Sequence, residues 1–223
     1  MMSETSPGIL AIWNDCSPGR EADFEEWYQH EHFHERIAVP GFLLGRRYEV
    51  VSGSPRYFCF YLTQSPDVLK SAAYLERLNN PTPMTRRIMS DAFRDMSRTV
   101  CHRTVRLGAM RGATAITVRF GERVDWNALK ATIETLLRDK AVACGEVWSA
   151  VDAGEIPVSE EERLRGGDRK IEACLFIETL REGDAAKIAA MLSRQFPSAT
   201  VGVYRLLCEI SSGLNLRLPP SPP

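Results

Sequence analysis

Along this chain, apolar positions alternate every second residue in some stretches and recur at helical spacing in others, and the switch happens repeatedly. GILAIWND reads as a strand and GREADFEEWYQHEHFHERIA as an amphipathic helix. GFLLGRRYEVV and RYFCFYLT are two further strands, joined by the turn residues SGSP. SPDVLKSAAYLERL opens a helix with Ser65 as N-cap and Pro66 at its first position. NNPTP interrupts it, Thr82-Pro83 starts a second helical piece running through Phe93, and RTVCHRTVRL follows as a strand.

The same order then recurs. ATAITVRF is a strand, Asp125 caps the helix WNALKATIETLLRDKA, VACGEVWSAV and IEACLFIETL are strands, Asp184 caps AAKIAAMLSRQF, and ATVGVYRLLCEI is the last strand. The join GAMRGA is too short for a free linker. The pattern predicts an α+β fold: tandem ferredoxin-like β-α-β-β-α-β repeats whose antiparallel sheets pack face to face as an α/β barrel. Residues 1–110 make the first half, with the candidate site; residues 111–212 make a second, mainly structural half; residues 213–223 are a Pro-rich tail. Within EIPVSEEERLRGGDRK, Ser159 and Glu162 have capping-box spacing, which predicts a short helical turn, either in an exposed polar connection or in a lid.

Composition narrows the classes. Of 223 residues, 28 are basic and 29 acidic, so a formal charge of −1 gives no global attraction to nucleic acid. The aromatics of YFCFY are expected in the core, and no basic stripe follows the strands. No apolar run approaches the roughly 20 residues of a membrane span. MMSETSPGILAIW lacks a basic segment and a cleavable apolar stretch, so secretion is not expected. Six dispersed cysteines without a C-x-x-C pair read as buried free thiols of a reducing, cytoplasmic setting.

The chemistry concentrates in WYQHEHFHERIAVPGFLLGRRYE, which holds three of the four histidines. His30-Glu31-His32-Phe33-His34 satisfies the H-E-x-x-H pattern of zinc peptidases, yet no metal site is expected. On a regular helical wheel His30 and His34 project sideways, Glu31 falls within the apolar face beside Trp27 and Tyr28, and His32 lies on its border. A carboxylate on that face needs a partner. Either Glu31 pairs with Arg46, Arg47 or its helix neighbour Arg36, or it orients His32 as a base at the mouth of a pocket. In the next strand, alternation puts Phe42, Leu44, Arg46 and Tyr48 on one face and Leu43, Gly45, Arg47 and Glu49 on the other. An arginine on the interior side needs an anion, from the protein or from a substrate carboxylate. Asn14 and His102, at strand positions nearby, either join the same cavity or meet solvent.

FEEWYQHEHFHERIAVPGFLLGRRYE resembles the helix-to-strand signature W-Y-x-x-E-H…P-G-F…R-R-Y of small proteins in the dimeric α/β-barrel superfamily, and is similar in style to EthD-like proteins and muconolactone-type isomerases. The resemblance implies roles for Glu31 and His32 as the Glu-His pair and for Arg46, Arg47 and Tyr48 in the strand motif. His34 stands where related sequences often carry proline, and the second half has no matching pair. Because that superfamily hosts many chemistries, fold alone does not choose one. The expected function is a small-molecule enzyme without bound cofactor, acting by acid/base chemistry on an aromatic or carboxylate-bearing metabolite. His32 would be the base, Glu31 its orienter, and Arg46 or Arg47 the anion clamp; Trp27, Tyr28, Tyr48, Asn14 and His102 would complete the pocket. The alternatives are a non-catalytic ligand-binding or assembly module, and a haem protein with His32 or His102 as axial ligand. A homodimer is compatible with the fold but not required by it.

Overall fold

The computed structural model describes residues 6–151 and 158–213. Eight strands carry the architecture: β1 (Gly8–Cys16), β2 (Phe42–Ser52), β3 (Tyr57–Thr63), β4 (Phe93–Leu107), β5 (Thr114–Phe120), β6 (Val142–Ala150), β7 (Ala173–Thr179) and β8 (Thr200–Ser211). Between them lie α1 (Glu21–Trp27), a π-helical turn (Tyr28–His32), α2 (Phe33–Ile37), α3 (Ala72–Asn79), α4 (Pro83–Asp91), α5 (Trp126–Leu136), α6 (Glu160–Arg165) and α7 (Glu182–Gln195). The β-α-β-β-α-β order thus occurs twice. Each half has the strand order 4-1-3-2, and antiparallel pairs β2–β8 and β4–β6 stitch the halves edge to edge into one closed barrel, β1-β3-β2-β8-β5-β7-β6-β4. The two inner faces expected to meet are therefore opposite walls of a continuous sheet, and no edge among these strands is left to aggregate.

Period-two alternation sorts the side chains. On β3, Phe58 and Phe60 point into the barrel while Tyr57, Cys59 and Tyr61 face the helices. Trp13, Tyr48, Phe58, Phe60, Trp148, Phe176 and Tyr204 fill the lumen, with Trp148 stacked on Phe176 at 4.7 Å and Trp13 on Phe58 at 5.0 Å. One end is closed by charge: fully buried Glu178 takes Arg46 and the Tyr48 hydroxyl, fully buried Glu146 takes Arg106 and the Trp148 indole, and Arg111 from the join donates to both. An eight-stranded barrel is just wide enough for side chains to fill. This one is full.

Several boundaries move. Ser71, not Ser65, caps the helix over Tyr74, because Pro66–Lys70 winds as a tighter 3₁₀ turn and the backbone breaks to extended at Ser71. Strand β4 begins at Phe93, where a helix was expected to end, since its first residues pair with Asp15 and Cys16 of β1. Asp125 caps α5 as expected, but α7 starts at Glu182 and takes Asp184 into its first turn. A register shift between Phe42 and Leu44 breaks the alternation of β2, so Phe42 packs under the helices while Arg46 and Tyr48 face the barrel. All six cysteines are free thiols, four of them buried. No helix among the described residues is long and apolar enough to cross a membrane. Most of the proline-rich tail, 214–223, lies outside the described residues.

If the aromatic fill holds the barrel, Phe58→Ala, which empties the centre of the stack, should cost about 3–5 kcal/mol in urea unfolding. A loss under about 1 kcal/mol would mean that the lumen is loosely packed.

Candidate functional site

With the lumen full, polar chemistry lies on the outer face of the first half, under its helices. The turn Tyr28–His32 is wound with i→i+5 bonds, and the Phe33 amide donates to the Tyr28 carbonyl. Such underwinding makes each later side chain lag behind the regular wheel. It carries His32 from the border of the apolar face to its centre, leaving 5% of it exposed, and takes Glu31 out to a half-buried edge. The His34 ring donates through Nε2 to the Gln29 carbonyl at 3.0 Å, and His30 is exposed. No cluster of His, Cys, Asp and Glu suited to a metal occurs among the described residues.

Glu31 does not touch His32. Its carboxylate accepts from the hydroxyls of Thr82 at 2.6 Å and Thr85 at 2.7 Å, at the N-terminus of α4, where the helix dipole favours a negative charge. Thr85 in turn accepts from the Trp27 indole at 2.8 Å, and the Trp27 ring lies over the His32 imidazole, centroids 4.1 Å apart. Any influence of Glu31 on His32 runs through this chain.

His32 lines a chamber of about 20 Å³, room for about one water, with Tyr28, Arg36, Tyr61, Tyr74 and Arg98. Helix α6 of the second half covers it with Glu161 and Arg165. The Ser159 hydroxyl caps α6 by accepting from the Glu162 amide, and Glu161 forms a buried ion pair with Arg36. Arg165 grips Asp168 through two bonds of 2.8 and 2.7 Å, and Arg98 donates to the Tyr74 hydroxyl at 2.9 Å. Three arginines against two carboxylates leave one cation in excess. Among the described residues, His32 Nδ1, the Tyr61 hydroxyl and Arg36 Nη1 are buried without partners. Burial first, then the charges of Arg36, Arg165 and Arg47, holds His32 well below the ordinary histidine value, and burial pushes the Tyr28 and Tyr61 hydroxyls well up. At neutral pH the chamber holds a neutral imidazole and two intact phenols.

The other expected site residues are scattered. Tyr28 lines the chamber, and Trp27 backs His32. Arg46 and Tyr48 serve the ionic end of the barrel. Arg47 is held by Glu25 through two bonds of 2.6 and 2.8 Å, with its guanidinium over the Tyr28 ring at 4.4 Å. Neither arginine is an open anion clamp, because each already has a protein carboxylate. Asn14 is buried on β1 and His102 is exposed, its Nδ1 2.8 Å from the Ser6 hydroxyl; neither lines the chamber. With α6 seated, the chamber beside His32 has no room for a haem.

Sequence reasoning missed Tyr61, Tyr74, Arg98, Glu161 and Arg165, and offered Arg36 only as a partner for Glu31, whereas it pairs with Glu161. A signal existed for Arg36, four residues beyond His32 and so on its helix face, and for Tyr61, on the helix-facing side of an alternating strand. Nothing local marks Glu161, one of four consecutive polar residues in SEEE.

No protein-family model and no curated protein sequence matches this chain. Solved structures do. An anthrone oxidase-like protein superimposes with a TM-score of 0.65 at 10% identity, covering 97% of this chain and 98% of its own. A proposed monooxygenase from Fusobacterium nucleatum gives 0.58 at 8% identity, covering 93% and 95%, and another from Lactobacillus acidophilus gives 0.52 at 8%, covering 93% and 97%. At such identities the likeness is one of fold, a helix-coated α/β barrel of the same extent.

Two outcomes follow from the buried charges. Arg36→Met should destabilise by about 3–5 kcal/mol, because it strands Glu161, and adding Glu161→Met should restore most of that loss in a double-mutant cycle. For His32, the unfolded chain takes up a proton below about pH 6.5 that the folded chamber refuses, so stability is full above that pH and declines as pH falls. The slope from this group is at most about 1.4 kcal/mol per pH unit, and His32→Phe should remove it from urea midpoints measured between pH 7.5 and 5.

Proposed function

We propose that this chain is a small-molecule enzyme in which neutral His32 takes a proton from an aromatic or carboxylate-bearing substrate held under α6. The observation that carries the reading is the cluster of partnerless buried polar atoms, His32 Nδ1 foremost, around one chamber. Natural interiors pair such atoms, so three unpaired ones sharing a cavity suit a ligand that completes them. In the empty chamber the surrounding arginines disfavour an imidazolium. A bound substrate carboxylate and the enolate formed beside the ring offset that charge, so the imidazole accepts a proton from carbon next to a carbonyl while the Tyr61 hydroxyl donates to the enolate oxygen. Return of the proton to another carbon gives isomerisation. Addition of dioxygen to the carbanion forms a C–O bond and a peroxide anion, which takes the proton back from His32 and loses water to leave a ketone at that carbon, an outcome in keeping with the names of the structural neighbours. Both use the chain's own side chains without a resident cofactor. Trp27, Thr85 and Glu31 act as positioning residues, holding the ring plane.

The test is deuterium exchange at the acidic C–H of aromatic ketones with and without a carboxylate, anthrone among them, followed by NMR in D₂O. The wild-type chain should accelerate exchange, and His32→Asn should lose about 10²-fold or more of that rate while keeping the wild-type circular dichroism spectrum. Equal rates for the two proteins would remove His32 from the chemistry.

A further inference from the structure

We infer that Glu161 occupies the seat of a substrate carboxylate on Arg36, so that α6 is a plug which a carboxylate ligand displaces. The inference rests on the chamber being a substrate site and names the class of substrate it takes.

Arg36 is the best anion receptor in the chamber. It is 2% exposed, one terminal nitrogen pairs with Glu161, and the other, Nη1, is buried without a partner among the described residues. Guanidinium binds carboxylates by two parallel N–H donors, so the seat is only half used. A substrate carboxylate with both oxygens on Arg36 would fill it.

The occupant of that seat is mounted on a piece built to move. Helix α6 has six residues and ends at Gly166 and Gly167, whose φ values of 88° and 97° lie in the left-handed region and around which a side chain would meet open space. Arg165 and Asp168 clasp each other across this glycine pair and anchor that end. At the other end, apart from Glu161, the ties are peripheral: Glu160 to exposed Arg86 at 3.0 Å, and the Glu160 amide to the Asn79 side chain at 3.2 Å. Leu164 is the helix's one apolar contact with the first core. A swing about the glycines lifts Glu161 first.

There is room for what would come in. A groove of about 670 Å³ runs along the seam of β4 with β6, bordered by Val158 and Glu162 of the α6 segment, and Arg98 borders both groove and chamber. The chamber alone holds about one water, whereas ligand sites span roughly 300–1,000 Å³. Lifting α6 joins the two spaces. Opening would leave Arg36 as an uncompensated buried cation, so a neutral ligand cannot drive it and an anion that replaces Glu161 can.

The experiment compares benzoate with benzamide, its neutral isostere, by calorimetry on the full chain. Benzoate should bind Glu161→Gln at least tenfold more tightly than wild type, benzamide should bind both equally, and Arg36→Met should lose the benzoate gain. Should Glu161→Gln fold poorly, hydrogen–deuterium exchange on the wild type gives the same decision: saturating benzoate should speed exchange across residues 159–167, and benzamide should not. Equal affinities for the two ligands, or α6 amides indifferent to benzoate, would overturn the inference. The two readings fail separately, because benzoate displacing α6 while His32→Asn keeps full turnover leaves the carboxylate seat standing without the base.

Discussion

The closure of the barrel constrains everything else in the molecule. Once β2 pairs with β8 and β4 with β6, every strand has two neighbours and the inner wall is satisfied by what the strands and the join between the halves bring. They bring large aromatic rings in the middle and a carboxylate–arginine cluster at one end. That leaves little room among the aromatic rings, and the His32 chamber lies instead on the outer face, where helices must cover the sheet. In the second half they cover it closely: at Gly145 a Cβ would come within 2.4 Å of Ile133, so α5 lies directly on the backbone of β6. In the first half the covering helix carries His32 and Arg36 on its buried side, and apolar packing cannot be completed there.

A shift of helical pitch decides which polar group goes in. Regular winding would have aimed Glu31 at the sheet, where an unpaired carboxylate is costly. The π turn substitutes His32, which enters neutral, and hands Glu31 to two threonine hydroxyls and the N-terminus of α4. Both groups end in environments that suit their charge. The link that remains between them, from Glu31 through Thr85 and the Trp27 indole to the imidazole face, fixes ring orientation without a hydrogen bond to the ring. Nδ1 is left without a partner among the described residues.

Much of the fold was legible because it rests on periodicity and turn chemistry: eight strands in the right order, the Asp125 cap, the short helix capped by Ser159, and the face alternation of β3. The site was legible only in part. The burial of Tyr28 could be read because an amphipathic helix announces its buried side, whereas a regular wheel leaves His32 on the border of that side and Glu31 within it. Arg46 and Arg47 misled, because alternation shows that one enters the interior but not which carboxylate awaits it; Glu178 and Glu25 come from distant strand and helix positions. Glu161 had no local signal at all. Its burial is created by Arg36, 125 residues earlier, and a run of acidic residues looks like a solvated surface until a fold puts a cation beneath it.

That long-range pair also changes the meaning of the second half. Its sequence shows no counterpart of the Glu-His pair, yet its helix α6 packs against the first half and roofs that half's chamber. Covalent fusion of the halves gives this arrangement a purpose. Beside the seam where β4 pairs with β6 in one closed sheet, α6 lies against the first half's helices α3 and α4. A short helix whose buried tie to the first half is the Glu161–Arg36 pair, with Leu164 and the Glu160 contacts beside it, stays seated when the chamber is empty, and gives way to a ligand that offers Arg36 the same charge. Desolvation supplies the selectivity: the cation is too deeply buried to be left alone, so whatever displaces Glu161 must itself be an anion.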